Sequence, residues 1–211
     1  MPAAATAPAL PDPATLPAGQ QERRDRIVHA AFALLERGEY DAIQMRDVAR
    51  EAGVALATIY RYFTSKEHLY AAALVEWAAD YPTRGRPAAD RVGSEAQLRA
   101  LMRRAVRAFE HYPQMMRVEI VIESSPDPNA RALFDQFAAR NVGALMTSLS
   151  STDPATAAVI VETVNSVLAT RLRAWALGRI TIGDVDRSVQ KTLDLIFAQG
   201  VPAGHCGQVL R

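Results

Sequence analysis

The chain has 211 residues, of which 49% are hydrophobic and 22% are charged, and its formal net charge at pH 7 is +1. These values are typical of a soluble globular protein, and the small net charge confines any nucleic-acid site to a local patch. The single cysteine, Cys206, excludes a scaffold built on intrachain disulfides, and we expect it to be an incidental tail residue.

Residues 1–20 are rich in alanine and proline and lack the basic start and apolar core of a signal peptide. This composition predicts a disordered arm. No uninterrupted apolar run in the sequence approaches the ~20 residues needed to span a bilayer. We therefore expect a cytoplasmic protein without a membrane partner.

Three helical patterns follow between residues 21 and 66. Apolar residues first recur at three- and four-residue spacing, and Gly38 predicts the end of this helix. Met45–Ala52 and Leu56–Phe63 have the length and pattern of two short helices. Gly53 lies between them, where a helix-turn-helix needs a residue that tolerates a positive φ. The segment is therefore predicted to be a helix-turn-helix domain.

The remaining chain is again helical in pattern. Ser65 can cap a helix over 66–81, after which prolines and glycines mark a loop near 82–87. No strand pattern or internal repeat follows. The sequence thus predicts an all-α fold of about nine helices, in which the helix-turn-helix domain precedes a larger helical domain at 67–200 and a tail at 201–211.

The second short helix of the motif carries residue types that bind DNA. In a helix-turn-helix this helix enters the major groove, where Arg61 can bond guanine or phosphate and Thr58 can do either or touch a thymine methyl group. Tyrosine hydroxyls, and a lysine at the start of the next helix, suit phosphate oxygens. The predicted DNA contacts are Arg46, Leu56, Ala57, Thr58, Tyr60, Arg61, Tyr62 and Lys66.

A non-binding interpretation remains open at this point. Helix-turn-helix geometry also occurs in helical proteins that bind no DNA, in which Tyr60 and Tyr62 would be half-buried aromatics. Acidic and basic residues are nearly balanced over the motif and the helix before it, although the second helix itself carries no acid. Arg23, Arg24 and Arg26, at the start of the first helix, are either further phosphate contacts or a solvated face.

The motif MRDVAREAGVALATIYRYFTSKEHL resembles the DNA-binding region of the TetR family of transcriptional regulators. The family's recognition helix ends in Tyr-x-x-Phe and is followed by a phosphate-contacting lysine, a pattern matched by Tyr60, Phe63 and Lys66. The chain departs from the family at Ala55, where a capping serine or threonine is usual, and at Ala57. The resemblance implies a homodimer that binds palindromic double-stranded operator DNA, usually as a repressor, and a C-terminal domain for ligand binding and dimerisation.

The resemblance also implies a pocket for a small-molecule effector in the larger domain. The methionines and phenylalanines of the middle helices suit an adaptable apolar cavity, and ordinary core is the alternative for each of them. The predicted ligand-binding residues are Met102, Val106, Phe109, Met115, Ile122, Phe134, Phe137, Asn165, Leu168 and Trp175. Further polar candidates are His111, Glu119, Glu123 and Arg171.

The resemblance further implies that the last two helices form the dimer interface. The penultimate helix has a second face of small residues that is compatible with this role. That face consists of Ala158, Val159, Glu162, Ser166, Ala169, Thr170 and Arg173. Two recognition helices related by the dimer axis would then read the two halves of a palindrome.

Within the family, the motif and the late segment LATRLRAWALGRITIGDVDRSVQKTLDLI look similar to repressors of actinobacterial sterol degradation, whose effectors are sterol-derived CoA thioesters. A large apolar or acyl-CoA-like effector is the corresponding hypothesis. The sequence has no phosphate-cradling glycine loop, metal-binding cluster or nucleophile elbow, so we expect neither an enzyme nor a bound cofactor. The alternative function is a helical ligand-binding protein without sequence-specific DNA binding.

Overall fold

A computed structural model describes residues 15–80 and 95–198 of the chain. Within these two ranges the chain forms nine α-helices and no strand, which confirms the all-α prediction. The predicted loop and the predicted tail lie outside the described residues, as does most of the predicted arm. The helices are α1 (Ala18–Arg37), α2 (Met45–Ala52), α3 (Leu56–Tyr60), α4 (Lys66–Asp80), α5 (Glu95–His111), α6 (Pro113–Glu123), α7 (Pro128–Ser148), α8 (Pro154–Ala176) and α9 (Ile182–Ala198), with a 3₁₀ turn at Tyr40–Ala42.

The first three helices are held together by one apolar core. Ile27 and Ala31 of α1, Val48 of α2, Ile59 of α3 and Phe63 are all buried in a single cluster. Burial of an aliphatic or aromatic side chain contributes about 1.5–3 kcal/mol. Because α3 has only 5 residues, this core, rather than helix propensity, holds it in place.

The start of α1 differs from the prediction. The helix begins at Ala18, inside the predicted disordered arm, rather than near Gln21. The Pro17 carbonyl accepts the N–H groups of Gln20 at 2.8 Å and of Gln21 at 3.0 Å, which forms the first turn. Proline tolerates this position because its ring already fixes a suitable φ.

The end of α3 also differs from the prediction. The helix stops at Tyr60, not at Phe63. The Tyr62 N–H bonds to the Ile59 carbonyl at 2.9 Å, three residues back, so the chain tightens into a 3₁₀-type turn after α3.

Gly53 ends α2 in the conformation that the sequence predicted. Its φ is 64° and its ψ is 38°, which is the left-handed region. The Val54 N–H then bonds back to the Ala49 carbonyl at 3.0 Å, as in a Schellman motif. This turn sets the angle between α2 and α3.

Helix α4 connects the two parts of the molecule. Its Leu69, Tyr70 and Leu74 are fully buried. The helix packs against α1 on one side and against α6 and α7 on the other. Because α4 contacts both parts, its packing does not mark a boundary between residues 66 and 67. That domain boundary stays a prediction.

Helices α5 to α9 form the larger bundle. Helices α7 and α8 both begin with a proline, and the aspartate before each proline caps the helix. The Asp127 carboxylate accepts the Asn129 N–H at 2.8 Å, and the Asp153 carboxylate accepts the Thr156 N–H at 3.0 Å. These caps explain why both helices begin at the following proline.

Helix α8 is long and apolar enough to cross a membrane by length and composition alone. In the structure it packs on α6, α7 and α9. A core helix of a soluble protein passes the same test, so this single helix is weak support for a membrane span. In its most apolar stretch, however, 33% of the residues are buried, and Val159 is 64% exposed.

Candidate nucleic-acid interface and effector site

Helix α3 has an exposed surface on the bundle that α1, α2 and α3 form. Leu56 is 40% exposed and Tyr60 is 49% exposed. Ala57 and Arg61 are also exposed, whereas Thr58 is half-buried. A surface with large apolar, aromatic and cationic side chains next to each other is suited to base edges and phosphates together. Arg46 is exposed on α2, and all these contacts stay predictions.

The helix is held without the capping side chain that the family usually provides. Ala55 occupies the N-cap position of α3 with φ −69° and ψ 145°, and no side chain caps the helix. The Ala55 carbonyl still accepts the Thr58 N–H at 2.8 Å. The missing cap costs about 1 kcal/mol of helix stability. Burial of Ile59 in the hydrophobic core offsets this loss.

The predicted phosphate contact of Tyr62 does not fit this structure. Its side chain is 6% exposed, and its hydroxyl oxygen is buried with no hydrogen-bond partner among residues 15–80 and 95–198. The ring packs inward with its centroid 6.5 Å from that of Phe63, and the Arg61 guanidinium lies 5.9 Å from the ring centroid. Because α3 ends at Tyr60, Tyr62 falls on the core side of the following turn.

Lys66 begins α4 as predicted, but its ammonium group faces the 3₁₀ turn. Its Nζ donates to the Tyr40 carbonyl and lies 3.9 Å from the centroid of the Tyr40 ring. Burial lowers the pKa of Lys66, and the nearby Asp41 and Glu67 carboxylates counteract this in part. An ammonium has three N–H donors, so this contact fixes the group without using all of them.

Of the three arginines at the start of α1, Arg24 is engaged inside the protein. Its guanidinium donates to the Glu76 carboxylate at 3.2 Å and lies 5.4 Å from the centroid of the Phe63 ring. Burial raises the pKa of Glu76, and Arg24 partly offsets this rise. Arg24 therefore joins α1 to α4 instead of extending toward a phosphate.

Residues near the start of helix α6 contact the bundle of α1–α3. The Arg117 guanidinium donates to the Asp41 carboxylate from Nε at 3.0 Å and from Nη2 at 2.8 Å. The Gln114 side-chain oxygen accepts the Tyr40 N–H at 3.3 Å. Both contacts are made to the 3₁₀ turn between α1 and α2.

The corner between α6 and α7 makes a second connection to the first bundle. The Asp127 carboxylate accepts the hydroxyls of Thr64 at 2.6 Å and of Ser65 at 2.5 Å. Asn129 donates from its side chain to the Thr64 hydroxyl at 3.3 Å. This connection was not predicted from the sequence. The sequence SPDPN signals a helix cap, but nothing in it names the partners of the aspartate.

The predicted effector residues lie mostly in the interior of the larger bundle. Seven of the ten are buried in the hydrophobic cluster: Met102, Val106, Phe109, Met115, Ile122, Phe137 and Leu168. Phe134, Asn165 and Trp175 are half-buried. Such burial is common to ordinary core and to a closed pocket, so these assignments stay predictions.

A cavity of about 230 Å³ lies where α1 meets the corner between α5 and α6. Its lining includes Phe32 and Leu35 of α1, the polar side chains of Glu36 and His111, and Met115. Only Met115 belongs to the ten predicted effector residues. The cavity is therefore at the junction of the two bundles, not in the interior where the pocket was predicted.

Glu119 is the polar candidate with the most unusual surroundings. Burial, with a further contribution from the Glu123 carboxylate, raises the pKa of Glu119 to about 7, and Arg173 counteracts this only in part. No hydrogen bond to Glu119 is present among the described residues. One turn further along α6, Glu123 forms an ion pair with Arg173 of α8. Within residues 15–80 and 95–198, no group of three His, Cys, Asp or Glu side chains could hold a metal ion.

Two family models match the chain, one in each of its two parts. Residues 27–73 match the family model "Bacterial regulatory proteins, tetR family", and residues 93–196 match "Tetracyclin repressor-like, C-terminal domain". The HTH-type transcriptional repressor KstR of Rhodococcus jostii is 33% identical over 187 residues, covering 86% of this chain and 85% of that protein. The KstR of Mycolicibacterium smegmatis is 31% identical over 185 residues, covering 84% of this chain and 88% of the relative.

Solved structures give the same fold. A TetR transcriptional regulator from Rhodococcus sp. RHA1 has a TM-score of 0.67 at 23% identity, covering 85% of this chain and 97% of its own. The transcriptional regulator FadR from Bacillus subtilis, solved in complex with stearoyl-CoA, has a TM-score of 0.62 at 16% identity, covering 82% of this chain and 96% of its own. The chain therefore belongs to the TetR family of bacterial transcriptional regulators.

Proposed function

We propose that the chain is a homodimeric repressor that binds a palindromic operator through α3 and is released from it by an apolar effector. The observation that carries this proposal is the open surface of α3, where Leu56, Tyr60 and Arg61 are exposed above the buried core. The similarity to repressors named KstR supports the direction of regulation.

The uncovered surfaces of α8 and α9 support the dimer. Val159 on α8 is 64% exposed and Leu195 on α9 is 72% exposed, and Leu177 just after α8 is also exposed. The small residues predicted for the interface lie on the same uncovered side of α8, among them Ala158, Ser166 and Thr170. A second copy would cover this apolar face and complete its burial.

A large apolar molecule is the effector class that the larger bundle supports best. Its interior contains methionine and aromatic side chains, and methionine adapts readily to the shape of a bound apolar ligand. A carboxyl group with a pKa near 7 is protonated in part at neutral pH, so Glu119 can donate a hydrogen bond to a carbonyl or hydroxyl of the ligand. An acyl-CoA-like or sterol-derived thioester combines an apolar body with such acceptors.

Effector binding would act by a population shift between two orientations of the recognition helices. Helices α4 and α6 both contact the DNA-binding bundle, and α6 also carries Glu119 and Ile122 toward the larger bundle. An effector lowers operator affinity only to the extent that it binds the non-binding orientation more tightly. The protein would act in the cytoplasm, as a regulator without catalytic activity.

One substitution distinguishes the proposed repressor from the alternative, a ligand-binding protein without sequence-specific DNA binding. We expect Arg61→Ala to weaken binding of a selected operator about 5- to 150-fold, because one base or phosphate contact contributes about 1–3 kcal/mol. Arg103→Ala, which removes an exposed arginine of α5, is the matched control and should bind like wild type. Fluorescence anisotropy at ~150 mM salt measures both, since lower salt strengthens non-specific binding. Equal affinities of the two variants would contradict the proposal.

A further inference from the structure

Asp127 uses its two carboxylate oxygens for two different parts of the molecule. Oδ1 accepts the backbone N–H groups of Asn129 at 2.8 Å and of Ala130 at 3.4 Å, which caps α7. Oδ2 accepts the hydroxyls of Thr64 at 2.6 Å and of Ser65 at 2.5 Å, in the turn between α3 and α4. One side chain thus joins the start of α7, in the larger bundle, to the turn that follows α3.

Capping α7 does not require the second set of bonds. Asp153 caps α8 in the same way, with Pro154 following it, but its bonds to the N–H and hydroxyl of Thr156 stay within its own helix. The Oδ2 bonds of Asp127 are additional to a cap. Hydrogen bonds to an ionised carboxylate are stronger than those between neutral groups.

The turn on the other side of this contact is itself part of a helix cap. The Ser65 Oγ that donates to Asp127 also accepts the His68 N–H at 3.0 Å, which caps α4. The His68 Nδ1 in turn accepts the Thr64 N–H at 3.2 Å. The caps of α4 and α7 therefore share one carboxylate, and the residues between α3 and α4 are held from both sides.

We propose that Asp127 is a positioning residue for DNA recognition. It holds the turn after α3 against the larger bundle and so sets the orientation of the recognition helix, α3. This inference rests on the proposed function. With this contact, α6 and the residues that follow it reach the bundle of α1–α3 at two places. Gln114 and Arg117 join the start of α6 to the 3₁₀ turn, and Asp127, just after its end, joins it to the turn after α3. A shift of α6 would then reach both ends of the DNA-binding motif.

Asp127→Asn and Asp153→Asn make a matched pair of full-length variants. Asparagine caps a helix about as well as aspartate, so both variants keep their helix starts. In Asp127→Asn an amide NH₂ replaces the charged acceptor that faces Thr64 and Ser65. We expect operator affinity to fall about tenfold in Asp127→Asn and to stay unchanged in Asp153→Asn.

The sign of the change separates positioning from simple electrostatics. Removing a negative charge from the DNA-binding side should by itself strengthen binding to a polyanion, whereas loss of positioning weakens it. Thr64→Val removes a hydroxyl partner while both caps remain, and it provides the second test. Combined with Asp127→Asn it should lower affinity little further, but combined with Asp153→Asn it should lower affinity as much as it does alone.

Hydrogen exchange of the DNA-free dimer supplies an independent readout. We expect faster amide exchange over residues 61–68 in Asp127→Asn than in Asp153→Asn, at equal melting temperature. Operator affinity equal to that of Asp153→Asn, or unchanged exchange in the turn, would overturn the assignment of Asp127. Failure of the wild-type chain to select any operator would instead refute the proposed function, and the inference with it.

Discussion

At the scale of single residues, Gly53 is the position where the backbone itself selects the amino acid. Its φ of 64° lies in the left-handed region, and a Cβ placed there would meet no described atom within 4 Å other than those of its chain neighbours. Gly53→Ala should therefore destabilise the fold by about 1–2 kcal/mol through backbone strain alone. Gly143→Ala, inside α7 and also without a neighbour within 4 Å, should instead stabilise it by about 0.5–1 kcal/mol. Urea unfolding of both variants measures the difference, and equal effects would contradict this account.

Glu119 predicts a pH dependence of stability with a defined sign. Its pKa is raised from 4.5 to about 7 in the folded chain, so the folded state holds a proton that the unfolded state has lost. Its contribution is fully present below pH 4.5 and is lost as the pH rises through 7. Glu119→Gln, which mimics the protonated form, should remove this loss.

The measurement is the free energy of unfolding of wild type and Glu119→Gln between pH 4.5 and 8. We expect the variant to gain about 1–3 kcal/mol relative to wild type across this range. Glu76, whose pKa is also raised, contributes equally to both proteins and cancels in the difference. A difference that does not change with pH would show that Glu119 is ionised in the folded chain at acidic pH.

At the scale of elements, the uncapped start of α3 predicts a stabilising substitution. Ala55 already has the extended backbone of an N-cap residue, with φ −69° and ψ 145°. Ala55→Ser should add a hydrogen bond to a free N–H of the first turn and about 0.5–1 kcal/mol of stability. A melting temperature higher by a few degrees would agree with this. No change would mean that the hydrophobic core alone fixes the start of α3.

Most elements could be predicted because local chemistry determines them. The positive φ at Gly53 and the apolar spacing of α1 both follow from the sequence. The end of α3 could not be predicted in this way, because it depends on a tight turn that is held by the packing of Phe63 in the core. The orientation of Tyr62 and the partners of Lys66 and Asp127 are tertiary contacts. The contacts of Lys66 and Asp127 join residues far apart in the chain, and Tyr62 turns inward because of the turn after α3, so no local pattern indicates them.

At the scale of the whole molecule, the exposed apolar face of α8 and α9 predicts the oligomeric state. Leu195 is 72% exposed on α9, and Leu195→Glu would place a charge in the proposed interface, where desolvation without a partner is unfavourable. We expect wild type to be a dimer and Leu195→Glu to be largely monomeric in sedimentation velocity. Leu56→Glu, at a leucine that is 40% exposed on α3, should remain a dimer. A monomeric wild type would contradict the proposed assembly.

The proposed function requires that α3 reads a specific DNA sequence as part of a symmetric dimer. The most direct test is selection of genomic DNA fragments by the purified wild-type chain at ~150 mM salt, where non-specific binding is weak, followed by sequencing. We predict recovery of one palindromic motif whose half-sites lie a helical turn or more apart. Recovery of unrelated fragments, bound with the same salt dependence as bulk DNA, would contradict the claim.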